Sequence, residues 1–288
     1  MRMKAKCPAC LLNRIYQECR MITEDEKLID EIIETALGEI LREFRRREIN
    51  AVASTKVHRI VYRMLGNDDP YAEVKRRANE ISMQVLPAVK SYVARGDTFR
   101  NAVIASIIGN SFDYGILDHQ VKETDFLDYF NKEFRKGLAM DDVEEIKHLS
   151  KGRVVYIADN AGEIVFDRLL VEEIKKIGGY VSFVVRGKPI LSDATFEDAR
   201  FAGIDKVADE LLTNGYGAVG IIEEELPEKT MDRMESADVI ISKGMANYEC
   251  LSESKFGRIA FLLKAKCEPV AMDIGVEVGD MVAMLRWI

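Results

Sequence analysis

Apolar residues recur at three- and four-residue spacings through the first half of the chain and then change rhythm. From Glu24 to Ile49, the positions Leu28, Ile29, Ile32, Ile33, Ala36, Leu37, Ile40, Leu41 and Phe44 form one stripe, which predicts an amphipathic helix. Thr23 is placed to cap it, with Glu26 completing a capping box. The run Arg45-Arg46-Arg47 suits the negative end of the helix dipole and reads as a solvated helix end. A turn at Gly66-Asn67-Asp68-Asp69-Pro70 precedes a second helical stretch, Tyr71 to Ala94, which Pro87 should kink or interrupt. A third apolar helix is expected from Phe99 to Ile108, ending at Gly109-Asn110, and a highly charged one from Asp125 to Leu149.

After Lys151-Gly152 short β-branched runs take over. Arg153 to Ala158, Tyr180 to Val185, Glu210-Leu211-Leu212 and Ala237 to Ser242 read as strands; Arg258 to Leu263 fits a strand or a short helix, and Glu268 to Met272 completes the set. Helices are expected over Ala161–Ile177, closed by Gly178-Gly179, and over Phe196–Ala202, closed by Gly203. Strands alternating with helices predict an α/β fold with a mainly parallel, helix-flanked sheet. Right-handed crossovers would bring the strand C-termini to one edge. Two parts are expected, an all-helical one at 1–149 and an α/β one at 150–288, with no internal repeat.

Composition narrows the function classes. A chain of 288 residues that is 48% hydrophobic and 31% charged can bury a sizeable core. A net charge of −8 argues against broad nucleic-acid binding. No apolar run approaches the ~20 residues that span a bilayer, and Met1–Cys10 lack the apolar core of a signal peptide. The expectation is a cytoplasmic protein with no membrane partner. Five cysteines, an odd number, do not suit a secreted disulfide framework.

The candidate chemistry clusters after the strands. Asp159 and Asn160 follow the first, where two hard oxygen donors suit Mg²⁺ or Mn²⁺; the same pair suits a helix cap. Arg186, Lys188 and Asp193 follow the second, Lys243 and Asn247 the Ala237–Ser242 run, and Lys264 and Lys266 the Phe261-Leu262-Leu263 run. Carboxylates that hold a cation, with lysines to neutralise nonbridging oxygens, are what phosphoryl transfer needs. Glu163, one helical turn past the pair, could act as a partner of the metal ligands or as a general base. Backbone N–H groups of that turn could face a phosphate. Competing chemistries lack their motifs. The histidines His58, His119 and His148 form no HxH or HExxH, there is no GxSxG or GxxxxGK[ST], and the glycines after the first strand do not form GxGxxG. Cys7-Pro8-Ala9-Cys10 is half of a zinc motif. With a distant cysteine such as Cys267 it could bind a second metal, form a redox pair, or be a set of buried structural thiols.

Several segments in order carry a family resemblance: Cys7-Pro8-Ala9-Cys10-Leu11-Leu12, Gly109-Asn110-Ser111-Phe112-Asp113, Asp159-Asn160-Ala161-Gly162-Glu163, Arg186-Gly187-Lys188-Pro189-Ile190, Asp193-Ala194-Thr195-Phe196-Glu197-Asp198-Ala199, Lys243-Gly244-Met245-Ala246-Asn247-Tyr248-Glu249 and Lys264-Ala265-Lys266-Cys267. The chain resembles domain-of-unknown-function family 89, the metal-dependent damage-control phosphatases, and within it the cysteine-bearing subfamily of archaea and anaerobic prokaryotes. That resemblance implies a helical N-terminal part on a Rossmann-like core, which makes 150–288 a metal- and phosphate-binding domain. It implies Mn²⁺, Ni²⁺, Co²⁺ or Mg²⁺ on Asp159, Asn160 and Asp193. Lys243, Asn247 and Lys266 would contact phosphate, with Asp159, Lys243 and Lys266 catalytic and Asn247, Arg186, Lys188 and Glu163 binding substrate. Ser192 stands where the family often has asparagine, and the Arg-Thr-x-Lys motif of eukaryotic relatives is absent. The expected partner is a small phosphorylated metabolite. Two other functions stay open: a cysteine-based metal or redox sensor with a phosphorylated effector, and an S-adenosylmethionine-dependent carboxyl methyltransferase.

Overall fold

The apolar stripes of the first half close on one another as helices. In a computed structural model that describes residues 1–111 and 123–287, α1 (Cys7–Ile22), α2 (Glu26–Arg46) and α3 (Asn50–Leu65) bury Ile15, Ile32, Ala36, Val57 and Val61 between them. The cap of α2 is Asp25, whose carboxylate accepts from the N–H groups of Lys27 and Leu28 at 3.0 and 3.3 Å. Thr23 instead accepts from the Asp25 N–H at 3.1 Å. The charged side chain nearer the first turn takes the position because it also complements the dipole.

α4 (Ala72–Val93) continues through Pro87, with Val85, Leu86 and Val89 buried around it. Tertiary packing there outweighs the local cost of the proline. α5 (Thr98–Ser111) runs past Gly109, which does not end it. A Cβ at 109 would stand 2.6 Å from the Phe166 ring, so this glycine permits close approach between helices. The charged stretch expected as one helix is broken in two. α6 (Glu123–Lys136) stops before Gly137, which is left-handed (φ 72°). A short strand, β1 (Met140–Asp141), and α7 (Val143–Leu149) follow.

The remaining strands are β2 (Arg153–Ile157), β3 (Tyr180–Val185), β4 (Glu210–Thr213), β5 (Val239–Lys243), β6 (Arg258–Lys264) and β7 (Met281–Trp287). The helices between them are α8 (Glu163–Lys176), α9 (Phe196–Phe201), α10 (Glu228–Glu235), α11 (Gly244–Leu251) and α12 (Glu268–Ile274). The sheet order is β1-β7-β6-β5-β2-β3-β4. All pairs from β6 to β4 are parallel, and β7 runs antiparallel to β6. The expected α/β, Rossmann-like sheet with helices on its faces is present, together with an N-terminal helical region. Glu268 to Met272 belongs to a helix, not a strand. Pro269 in its first turn and left-handed Gly275 after its end give the usual helix asymmetry. β7, buried over its first three residues and exposed only over its last two, escaped the sequence reading.

Alternation along the strands builds two cores. Val154, Tyr156, Phe183 and Ile241 pack with α4, α5, α6 and α8 on one face; Val155, Ile157, Val184 and Ile240 pack with α11 on the other. Among the described residues, no helix is long and apolar enough to cross a membrane. Glu249 of α11 ties that helix to α3, both its oxygens accepting from Asn50 Nδ2 at 3.0 Å. Burial pushes the Glu249 carboxyl up to about 7, with the Asn50 bond and the chain's N-terminal amine opposing. A raised acid favours the proton in the folded state. Its stabilisation is therefore present below the unfolded value near 4.5 and is lost as pH rises through 7. Glu249→Gln is expected to remove this loss, which is about 3 kcal/mol over that window. Thermal unfolding of parent and variant at pH 5 and pH 8 checks it; parallel curves would overturn the assignment.

Candidate functional site

The parallel order places β2 and β5 side by side with their onward connections diverging, to β3 on one side and β6 on the other. A crevice opens at the C-terminal ends of strands that part in this way. Asp159 and Asn160 leave β2 there. The loop after β3 returns to them, as the Ala161 N–H donates to Ser192 O and the Ala194 N–H to Asp159 O, both at 2.8 Å. Asp193 is thereby paired with Asn160.

Neither member of the Asp-Asn pair caps α8, whose N-cap is Gly162 with no side-chain cap. The Asp159 carboxylate accepts from Asn110 Nδ2 and Asn160 Nδ2, each at 2.8 Å. Asn160 Oδ1 accepts from Ser192 Oγ at 2.9 Å, which gives residue 192 a role in holding the carboxamide. The first N–H groups are also committed: Asn160 donates to Glu163 Oε2 at 3.2 Å and Gly162 to Asn79 Oδ1 at 2.7 Å. Those two N–H groups at the approach to α8 are therefore held by protein acceptors.

Arg186 is fully buried. Its Nε donates to Asp193 at 2.6 Å, with longer contacts from its Nη atoms to Asn247 and Asp159 at 3.4 and 3.5 Å. Glu163 accepts from Asn110 at 2.6 Å through Oε2 and from Lys243 at 2.6 Å through Oε1. Lys243 also donates to Asp167 at 2.5 Å and to Ser106 O at 3.0 Å, and Asp167 accepts from the Tyr156 hydroxyl at 2.7 Å. These bonds join four buried carboxylates, Asp159, Glu163, Asp167 and Asp193, to two buried cations, Arg186 and Lys243. Burial first, then repulsion from Asp193 and Glu163, pushes the Asp159 carboxyl up to about 7. Burial also raises Asp193, against the pull of Arg186. Gly244 makes room for this packing. It is left-handed (φ 74°), and a Cβ there would stand 1.9 Å from Asp159 Oδ2.

A cavity of about 200 Å³ exposes part of this network. Asp159, Asn160, Asp193 and Lys266 line it, with Asn110 and Arg14. Lys266 donates from Nζ to Asn110 O. Lys243, Asn247, Arg186 and Glu163 stand behind the lining, and Lys188 lines a different cavity. Asn247 holds the turn instead, donating to Ala158 O and Lys243 O at 3.0 and 2.7 Å. Lys264 turns away to Glu133 and Tyr129, at 2.7 and 2.9 Å.

A family model described as the damage-control phosphatase ARMT1-like domain matches residues 3–282. The chain belongs to that family. A damage-control phosphatase of Archaeoglobus fulgidus is 55% identical over 98% of this chain and 99% of its own. One of Pyrococcus horikoshii is 33% identical over 99% of this chain and 98% of its own. A crystal structure from Pyrococcus horikoshii, described as a DUF89 family protein, superposes with a TM-score of 0.92 at 32% identity, covering 99% of both chains.

Within this family member the cysteines are free thiols. Cys7 and Cys10 begin α1 and Cys267 caps α12; among the described residues no three His, Cys, Asp or Glu side chains are gathered to hold a metal. Burial pushes the Cys7 and Cys267 thiols up, away from reactive thiolates. Of the segments that carried the resemblance, Phe112 and Asp113 lie outside the described residues, as does His119. Sequence reasoning passed over Asn110, Asp167 and Asn79. Asp167 carried a signal, because it sits four residues after Glu163 and hence on the same helix face.

Proposed function

We propose that the protein is a metal-dependent phosphatase acting on a small phosphorylated metabolite; the names of its relatives support the phosphatase part of this reading. One observation carries this reading: four buried carboxyl groups meet only two buried cations at the crossover edge beside a small open cavity, and burial raises the Asp159 and Asp193 carboxyls there, so that ionising both calls for a further cation. Buried charge without balance is costly. A divalent cation on Asp159, Asn160 and Asp193 would balance it, and carboxylate and carboxamide oxygens are the donors that Mg²⁺ or Mn²⁺ prefers. Such an ion, when bound, supplies a Lewis acid for the phosphoryl group and lowers the pKa of a water.

The remaining steps belong to this chain's residues. Lys266 reaches the cavity on a flexible stem and can neutralise phosphoryl oxygens. Asn110 and Asn160 orient the Asp159 carboxylate by donating to it. Arg186 does the same for Asp193. Lys243 is a positioning residue: it fixes Glu163, which in turn accepts from both asparagines. A cavity of this size favours a small substrate.

The test is phosphate release from a panel of small phosphomonoesters, using protein stripped with a chelator and given back one metal at a time. Release is expected to vanish on stripping and to return with Mn²⁺, Ni²⁺, Co²⁺ or Mg²⁺. Turnover that survives stripping undiminished would overturn the reading.

A further inference from the structure

Beside the candidate centre lies a larger cavity of about 750 Å³, walled by α2, α3 and the loops at 188–190 and 216–217. In a chain with a net charge of −8, five basic side chains line it, Arg42, Lys56, Arg59, Arg63 and Lys188, against two acidic ones, Glu39 and Asp68. Three of the five are held by carboxylates. Arg42 pairs with Glu39, Lys56 with Glu43 and Glu48 at 2.7 and 2.9 Å, and Arg59 with both oxygens of Glu225 at 2.7 and 2.6 Å. Those pairs fix the walls. Arg63 and Lys188 have no carboxylate partner among the described residues. Lys188 lies 5.8 Å from the centroid of the Tyr216 ring, and that ring is 67% exposed.

Two cations without carboxylate partners and an exposed aromatic ring, over one face of which Lys188 lies, are a recognition set. The arginine fork grips phosphate oxygens, and the ring offers a stacking surface. One loop separates this cavity from the candidate centre. Lys188, Pro189 and Ile190 line the large cavity; Leu191, Ser192 and Asp193 line the small one. Leu191 is left-handed (φ 48°), a conformation rare for leucine, and its N–H donates to the Tyr62 hydroxyl at 2.9 Å. Tyr62 itself lines the large cavity. A ligand in one cavity thus bears on the loop that carries Asp193 into the other.

We propose that the large cavity is a second binding site for a phosphorylated ring compound, with Arg63 and Lys188 taking the phosphate and Tyr216 the ring. The ligand could be the distal end of a bisphosphate substrate, which rests on the phosphatase reading, or a separate effector, which does not.

Orthophosphate binding to the Mg²⁺-supplied protein tests this by calorimetric titration. Two phosphates per chain are expected for the parent. Arg63→Ala with Lys188→Ala should weaken one of them at least tenfold, and Lys266→Ala the other. Both replaced side chains are exposed, so thermal unfolding should be unchanged and serves as the folding control. Phosphate binding identical in the parent and the double variant overturns the proposal. A parent that binds a phosphate sensitive to Arg63 and Lys188 but none sensitive to Lys266→Ala would instead count against the phosphatase reading, so the two failures can be told apart. The source of the ligand shows in turnover. If the double variant loses hydrolysis of a sugar bisphosphate but keeps that of the matching monophosphate, the cavity holds the substrate's distal end. If orthophosphate changes monophosphate turnover in the parent but not in the double variant, it holds an effector.

Discussion

Asp159→Asn is expected to lower metal-supported phosphate release on the order of a thousandfold while raising the thermal stability of the metal-free protein at pH 8. The two effects share one cause. The aspartate is buried, and Asp193 and Glu163 add repulsion, so its carboxyl is pushed from 3.8 to about 7. An acid raised in this way stabilises the fold below its unfolded value, and that contribution is lost as pH rises through 7. Asparagine keeps the volume, and its oxygen still accepts from Asn110 and Asn160. It carries no charge, so the loss at high pH disappears. The gain should therefore be present at pH 8 and shrink at pH 5, where the parent already holds the proton. Activity goes the other way, because removing one preorganised charged contact typically costs a hundred- to a thousandfold. A carboxylate kept only for structure would lose stability at both pH values when replaced. Unfolding curves of metal-free protein at pH 5 and 8, with phosphate release in Mn²⁺ or Mg²⁺, decide it. A lower melting temperature at pH 8, or activity within tenfold of the parent, would sink the idea.

Much of this neighbourhood could be read from the sequence because it is local. Asp159 and Asn160 directly follow a β-branched run, and the parallel sheet sends that end to the crossover edge. The lysines were harder. Lys243 follows an apolar run and was expected to meet phosphate, but it is the last residue of β5, and the pleat alternates. It shares its parity with Val239 and Ile241, which pack on the α5 and α8 face, so its side chain enters that core. Counting by twos would have shown this. Lys188 could not be placed by any spacing rule, since its cavity is made where the loop after β3 meets α2 and α3. Asn110 and Asn79 come to the centre from helices of the first half. Such pairings depend on packing between distant segments, such as Gly109 against Phe166, and periodicity does not encode them.

Lys243→Met is the substitution expected to cost most in stability, about 3–5 kcal/mol at pH 8. Methionine fills similar volume and buries well, so a cavity is not the cause. The cost comes from what remains: Glu163 and Asp167, both fully buried, would face each other without their shared cation. Burial opposes the lysine's charge, but Asp167 and Glu163 together hold its pKa above the usual range, so the ion pairs form in the fold. Protonation should relieve the variant, which makes its loss smaller at pH 5 than at pH 8. Adding Asp167→Asn removes one of the stranded charges, and the double variant should recover about 1–3 kcal/mol, a non-additivity that a double-mutant cycle in urea would read. A lysine that contacted substrate directly would behave differently. Its loss would cut turnover with little change in stability, and Asp167→Asn would restore nothing. The buried arrangement instead predicts that stability and turnover fall together, because Glu163 then loses the anchor that lets it order Asn110 and Asn160 around Asp159.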